Sequence, residues 1–249
     1  MIKLRRHSSI HLSRFRILGA SLFMILSSGV PLALIAACGS GNVFSKAVKR
    51  SESEKAQAAL ESGDVDSAIE TLNSYLRDHP DDAGALAMLA NAYLKKSGVD
   101  LLKIGSSISS GEQNQTNWRT VSSALPAGTD ENVTNVKAAV EALSSIPPEQ
   151  RTQEQNYQLA IAQTTLAVTV AKKAAGDSSG QLSAEKVDQM SDSDAMTIYN
   201  ALKGSKDATS ALTTQDSGLK KVASISDGVE SQSGSTEADR LRSYLKTQL

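Results

Sequence analysis

Few residues in this chain of 249 could do chemistry, because it has one cysteine, Cys38, and three histidines. His7 and His11 precede Cys38, so His79 is the only histidine after it. A Ser-His-Asp triad would need His79, which stands beside Pro80 at a helix stop, where a capping or solvated role is commoner. The chain has no HExxH, no CxxC and no glycine-centred calcium loop. These residues predict no enzyme and no bound metal or cofactor.

A glycosidase is the remaining enzymatic alternative, and its candidate catalytic carboxylates are Asp81 and Asp82 or Glu149. A glycosidase needs two carboxyl groups at a defined separation, one of them with a raised pKa. Nothing in the sequence sets either property, so these residues carry little argument for hydrolysis.

The charge of the chain argues against nucleic acid as a partner. The only charged residues before Cys38 are five Lys or Arg, and the rest of the chain has 21 basic against 27 acidic residues, a formal charge of −6. A mildly acidic chain offers no evident basic face to a phosphate backbone.

Residues 1–37 have the organisation of a secretory signal peptide. Residues 1–16 hold the five basic residues, and an apolar run follows at 17–37. The alternative is a retained membrane helix, because about 20 apolar residues can span a bilayer. Serine, glycine and proline at 27–31 interrupt the run and favour the shorter, cleaved form.

The apolar run ends in Ile35-Ala36-Ala37-Cys38, which resembles the lipobox of bacterial lipoproteins. The resemblance implies that the Cys38 thiol is acylated and becomes a membrane anchor after cleavage. Gly39 and Ser40 stand where the family places Asp for inner-membrane retention, which implies an outer-membrane anchor facing the periplasm. In a cell with one membrane, the anchor would lie in the plasma membrane instead.

The sequence from Gly63 to Gly98 resembles a tetratricopeptide repeat (TPR) that crosses from one unit into the next. Ala68, Leu72 and Tyr75 step by four and three along one helix face, as an amphipathic helix requires. On the family's pattern, the repeat-core positions are Gly63, Ala68, Leu72, Tyr75, Pro80, Leu86, Leu89, Ala90 and Tyr93. The resemblance predicts an all-α fold, a TPR-like array of helical hairpins (an α-solenoid).

The resemblance also implies that a partner would bind the concave face of the array. Asn91, Lys95 and Lys96 lie on the helix that lines this face in the family, and the alternative for them is an ordinary solvated polar face. An anchor, a repeat and no catalytic residues together predict a lipid-anchored scaffold or assembly adaptor for other cell-envelope proteins. A ligand-binding accessory of a periplasmic transport system is the alternative function.

Helix and loop signals divide the chain into five segments. We predict a signal peptide at 1–37, a lipidated flexible tether at 38–50, TPR-like helices at 51–109, a polar loop with a degenerate helical repeat at 110–175, and linker-rich C-terminal helices at 176–249. Reciprocal capping boxes are predicted at Ser51 with Glu54 and at Thr152 with Gln155, and Thr236 is predicted to cap the last helix.

Two stretches, 111–135 and 226–235, are rich in small polar residues and are predicted to be non-helical. Trp118 lies in the first stretch and either anchors a partner or pins the loop to its own domain. Residues 153–175 carry two apolar stripes, which predicts a helix covered on both sides at the centre of the array.

Overall fold

The structure of the protein is a computed structural model that describes residues 51–99, 104, 116–177, 180–214 and 217–249. The predicted signal peptide, the predicted acylation site Cys38 and the predicted tether lie outside these residues. All of the described residues belong to one compact unit.

Ten α-helices lie within the described residues. They are α1 (Glu52–Ser62), α2 (Val65–Asp78), α3 (Ala83–Lys96), α4 (Asn117–Ser123), α5 (Asp130–Ser144), α6 (Gln153–Ala175), α7 (Ala184–Gln189), α8 (Asp192–Ser210), α9 (Ser217–Glu230) and α10 (Glu237–Lys246). Pro148–Gln150 adds one turn of 3₁₀ helix. In this part of the chain the only β pairing is an isolated antiparallel bridge between Gly176 and Leu182. The prediction of an all-α fold is therefore confirmed.

The helices pack mainly against their neighbours along the chain, as in a helical repeat array. α1 packs on α2, α2 on α3, α3 on α5, α5 on α6, α6 on α8, α8 on α9 and α9 on α10. α1 also contacts α3, and α3 contacts α6, so these three helices share one side. The architecture is the predicted TPR-like array.

Short-range hydrogen bonds explain where several helices begin. The Ser51 hydroxyl accepts the Glu54 N–H at 3.2 Å, and the Glu54 carboxylate accepts the Ser51 N–H at 2.9 Å. Thr152 and Gln155 make the same reciprocal pair at 3.2 and 2.9 Å, and Thr236 caps α10. The predicted caps are confirmed, because they depend only on residues three apart.

α6 lies at the centre of the core. Fifteen of its 23 residues are buried, because α5 and α8 both pack on it. The hydroxyls of Thr164 and of Ser205 in α8 lie 2.8 Å apart, and each lies within 2.9 Å of the Ala160 carbonyl oxygen. Hydrogen bonds therefore satisfy the polar groups at this contact. The predicted central position of this helix is confirmed.

The prediction that residues 111–135 are non-helical is wrong, since α4 and the start of α5 lie there. The Thr116 hydroxyl accepts the Arg119 N–H at 3.2 Å, and Thr129 caps α5 in the same way. The threonines predicted as loop residues are therefore N-caps. Trp118 and Val121 are buried, so tertiary packing supports a short helix with a weak sequence pattern.

The predicted linker at 226–235 is likewise wrong in its first half. α9 continues to Glu230, and Ser226 and Val229 are buried on it. Ser226 is a small residue on the packed face of a helix, and its polarity alone does not distinguish that place from a loop.

Candidate functional site

The predicted repeat-core residues lie where α1, α2 and α3 meet. Five of them are buried: Ala68, Leu72, Leu86, Leu89 and Ala90. Tyr75 and Tyr93 are partly buried against the core. Gly63 ends α1 with φ +84°, a left-handed conformation that glycine adopts without strain, and Pro80 lies in the turn between α2 and α3. These residues hold the first three helices together.

A hydrogen-bonded cluster closes the turn between α2 and α3. The Tyr75 hydroxyl donates to the Asp82 carboxylate at 2.9 Å, and that carboxylate also accepts the N–H groups of Gly84 and Ala85 at 3.0 Å. The Ala85 N–H, followed by the Tyr75 hydroxyl, lowers the pKa of Asp82. The ring of His79 packs on Tyr75 with 4.5 Å between centroids. His79 therefore belongs to a turn that orients two helices.

A groove of about 560 Å³ opens to solvent on the side of the array formed by α1, α3 and α6. The residues of α3 that line it recur at each turn of the helix, at 84, 87–88, 91 and 95, and therefore share one helix face. The lining residues are Gln57, Leu60 and Glu61 of α1, Gly84, Ala87, Met88, Asn91 and Lys95 of α3, and Thr152, Glu154, Gln155 and Gln158 at the start of α6. α1 and α6 supply the two walls, and α3 supplies most of the floor between them.

The three residues predicted to bind a partner separate in the structure. Asn91 and Lys95 line the groove. The Lys95 ammonium donates to the Leu60 carbonyl at 2.7 Å and so caps the end of α1. Lys96 pairs instead with Asp66 of α2 at 2.7 Å, a contact that raises the pKa of Lys96. Only two of the three therefore share a surface with α6.

The groove retains polar groups without a partner in the described part of the chain. Gln57 donates to Glu61 at 2.9 Å, and Gln155 donates to a backbone carbonyl of α3 at 3.1 Å. The side-chain oxygen of Gln158 is buried and accepts no hydrogen bond. The Asn91 amide makes none either. The Asn91 amide is partly exposed, so a ligand in the groove can pair with it.

Sequence reasoning identified only the α3 part of this groove. Gln57, Glu154, Gln155 and Gln158 were not among the predicted site residues. The spacing of Asn91 and Lys95 along α3 was visible in the sequence. The approach of α6 to α3 was not, because α4 and α5 lie between them in the chain.

A second concavity, of about 390 Å³, lies beside the last turns of α6 and next to α4. Trp118 lines it but is only 3% exposed. The Lys172 ammonium donates to the carbonyls of Ser122 and Leu125 at 2.7 and 2.8 Å, and burial lowers the pKa of Lys172. Of the two interpretations of Trp118, the contacts support the one in which it pins its segment to the domain.

In the described ranges, no group of three His, Cys, Asp or Glu residues could hold a metal ion. No helix among those residues is both long and apolar enough to cross a membrane.

One comparison with known proteins bears on this geometry. The tetratricopeptide repeat family matches residues 54–92, which include most of α1, all of α2 and the greater part of α3. No curated protein and no solved structure matches the chain. The match supports the predicted repeat. Because tetratricopeptide repeats generally mediate protein–protein interactions, it also indicates protein partners.

Proposed function

We propose that this protein is a non-catalytic scaffold that holds an extended segment of another protein in the groove between α1, α3 and α6. The observation that carries the proposal is the groove itself, which is lined by one helix from each of three successive parts of the array and by several side-chain amides. Side-chain amides can pair with both the N–H and the C=O groups of a peptide backbone.

The dimensions of the groove suit a short extended segment. Packed helices lie about 8–10 Å apart, so the outer walls are separated by roughly 20 Å. An extended chain rises about 3.3 Å per residue, so about six residues would cross the groove. The open form favours a polypeptide over a metabolite, since small-molecule sites enclose most of their ligand. The transport-accessory alternative is the weaker one for this reason.

A photocrosslinking amino acid at position 91 tests the groove directly. We expect the full-length chain carrying it in place of Asn91 to capture a reproducible protein partner in its native membrane fraction. The matched control replaces Asn200, an exposed asparagine on α8 outside the groove. Equal capture at the two positions, or none at position 91, would refute the proposal.

We also propose that the scaffold is a lipoprotein of the cell envelope, anchored through acylated Cys38 and facing the periplasm from the outer membrane. The support is the signal-peptide organisation of residues 1–37 and the resemblance of Ile35-Ala36-Ala37-Cys38 to a lipobox. Several acyl chains hold a protein on a membrane stably, whereas a single chain does so only marginally.

Intact mass measurement with membrane fractionation tests the anchor. We expect a mature chain that begins at acylated Cys38 and a Cys38→Ala variant that accumulates as unlipidated precursor. A mass that retains residues 1–37 would mean that the apolar run is a membrane helix, and the lipid anchor would be excluded.

A further inference from the structure

The polar groups of the groove indicate the chemistry of its occupant, an inference that rests on the function proposed above. We infer that the groove selects an extended segment with basic side chains, arginine in particular, between small or apolar residues. The juxtaposition that carries the inference is two carboxylates on either side of an apolar floor.

The two carboxylates lie on opposite walls, Glu61 on α1 and Glu154 on α6. Glu61 accepts a hydrogen bond from the uncharged amide of Gln57, and neither carboxylate forms an ion pair with a described residue. The cation that lines the groove, Lys95, donates to the Leu60 carbonyl. The lining therefore has a net negative charge, and a positively charged segment is complementary to it.

The α6 wall presents one carboxylate to the groove, that of the exposed Glu154. A guanidinium has five N–H donors in a fixed plane and can donate to both oxygens of a carboxylate at once. Arginine therefore suits this wall better than lysine, whose ammonium is a point charge.

The floor between the two walls is apolar. Leu60, Ala87 and Met88 supply it, and methionine adapts its shape to different neighbours. An arginine stem can lie along such a floor while its charged end reaches a wall. The pattern therefore favours basic residues spaced by small or apolar ones over a uniformly charged or a purely apolar segment.

Fluorescence anisotropy with two short labelled peptides tests the inference on the full-length chain. One peptide alternates arginine with alanine and leucine, and the other has glutamate in place of each arginine. We expect the arginine peptide to bind, and the double variant Glu61→Gln/Glu154→Gln to bind it about tenfold more weakly. The control Glu70→Gln/Glu149→Gln makes the same change of charge outside the groove and should stay within about twofold of the wild type.

The outcomes distinguish this inference from the proposed function. Failure of the arginine peptide to bind, equal binding of the glutamate peptide, or an unchanged affinity in the groove variant would overturn the inference. If position 91 nevertheless captures a partner segment that lacks basic residues, the scaffold function stands without it. If position 91 captures nothing and neither peptide binds, both fail.

Discussion

The substitution Gly128→Ala tests how closely the segment that contains α4 and its connection to α5 is held against α6. An ideal Cβ at Gly128 would lie 2.3 Å from the Lys173 nitrogen and 2.6 Å from the Thr169 carbonyl oxygen, whereas ordinary contact begins near 3.4 Å. The segment and α6 must therefore separate by roughly 1 Å, because neither backbone can rotate out of the way as a side chain could.

The expected loss of stability follows from this forced separation. Overpacking of a well-packed contact costs about 1–3 kcal/mol. The same movement would weaken the hydrogen bonds from Lys172 to the carbonyls of Ser122 and Leu125, each worth about 1 kcal/mol. We therefore expect Gly128→Ala to lower the free energy of unfolding by about 2–3 kcal/mol.

Urea unfolding of the full-length chain measures this loss with two probes. Trp118 is the only tryptophan, so its fluorescence reports on the packing of α4, while circular dichroism reports on the whole helical array. The control is Gly204→Ala on α8, where the added Cβ meets only the flexible end of the Gln163 side chain. There we expect unchanged stability or a gain of up to about 1 kcal/mol from helix propensity. A Gly128→Ala protein with the wild-type midpoint and wild-type Trp118 emission would refute the reasoning.

Three further predictions concern single contacts. Asp82→Ala removes the α3 cap and should lower the free energy of unfolding by about 1 kcal/mol. The pKa of Asp82 is lowered in the fold, so this contribution is present above its ordinary pKa of 3.8 and is lost as the pH falls through the lowered value. An equal loss of stability in the wild type and the variant on acid titration would contradict this prediction. Burial raises the pKa of Tyr244 from its ordinary 10 to about 12, so this side chain costs stability as the pH rises through that range. Tyr244→Phe should therefore lose less stability than the wild type in urea midpoints measured between these pH values, and an equal loss would contradict the prediction. Ser205→Ala should cost only about 1 kcal/mol in urea unfolding, because the Thr164 hydroxyl keeps its hydrogen bond to the Ala160 carbonyl; a loss several times larger would mean that the two hydroxyls act as a unit.

The position of α4 limits the surface that a partner can reach. The groove occupies the first turns of α6, around Thr152 to Gln158. The last turns of α6 contact the segment that contains α4 through Thr169, Lys172 and Lys173. The proposed binding surface is therefore short, in keeping with a segment of about six residues.

The sequence by itself determined the local features of the first three helices and the starts of several later ones. The reciprocal bonds of Ser51 with Glu54 and of Thr152 with Gln155 join residues three apart. The left-handed turn at Gly63 likewise depends on its own backbone. Such interactions are set by neighbours in the chain, so a pattern of residue types was enough to predict them.

Only the tertiary structure decided which helices form the groove and where the segment that contains α4 packs. Gln155 reaches the Ala83 carbonyl across 72 positions of sequence, and Asn117 reaches Ser224 across 107. Lys95 and Lys96 are adjacent in sequence, yet they face α1 and α2 respectively. The physical reason is that apolar burial is non-directional. An amphipathic stripe shows that a helix face will be covered but does not specify the helix that covers it.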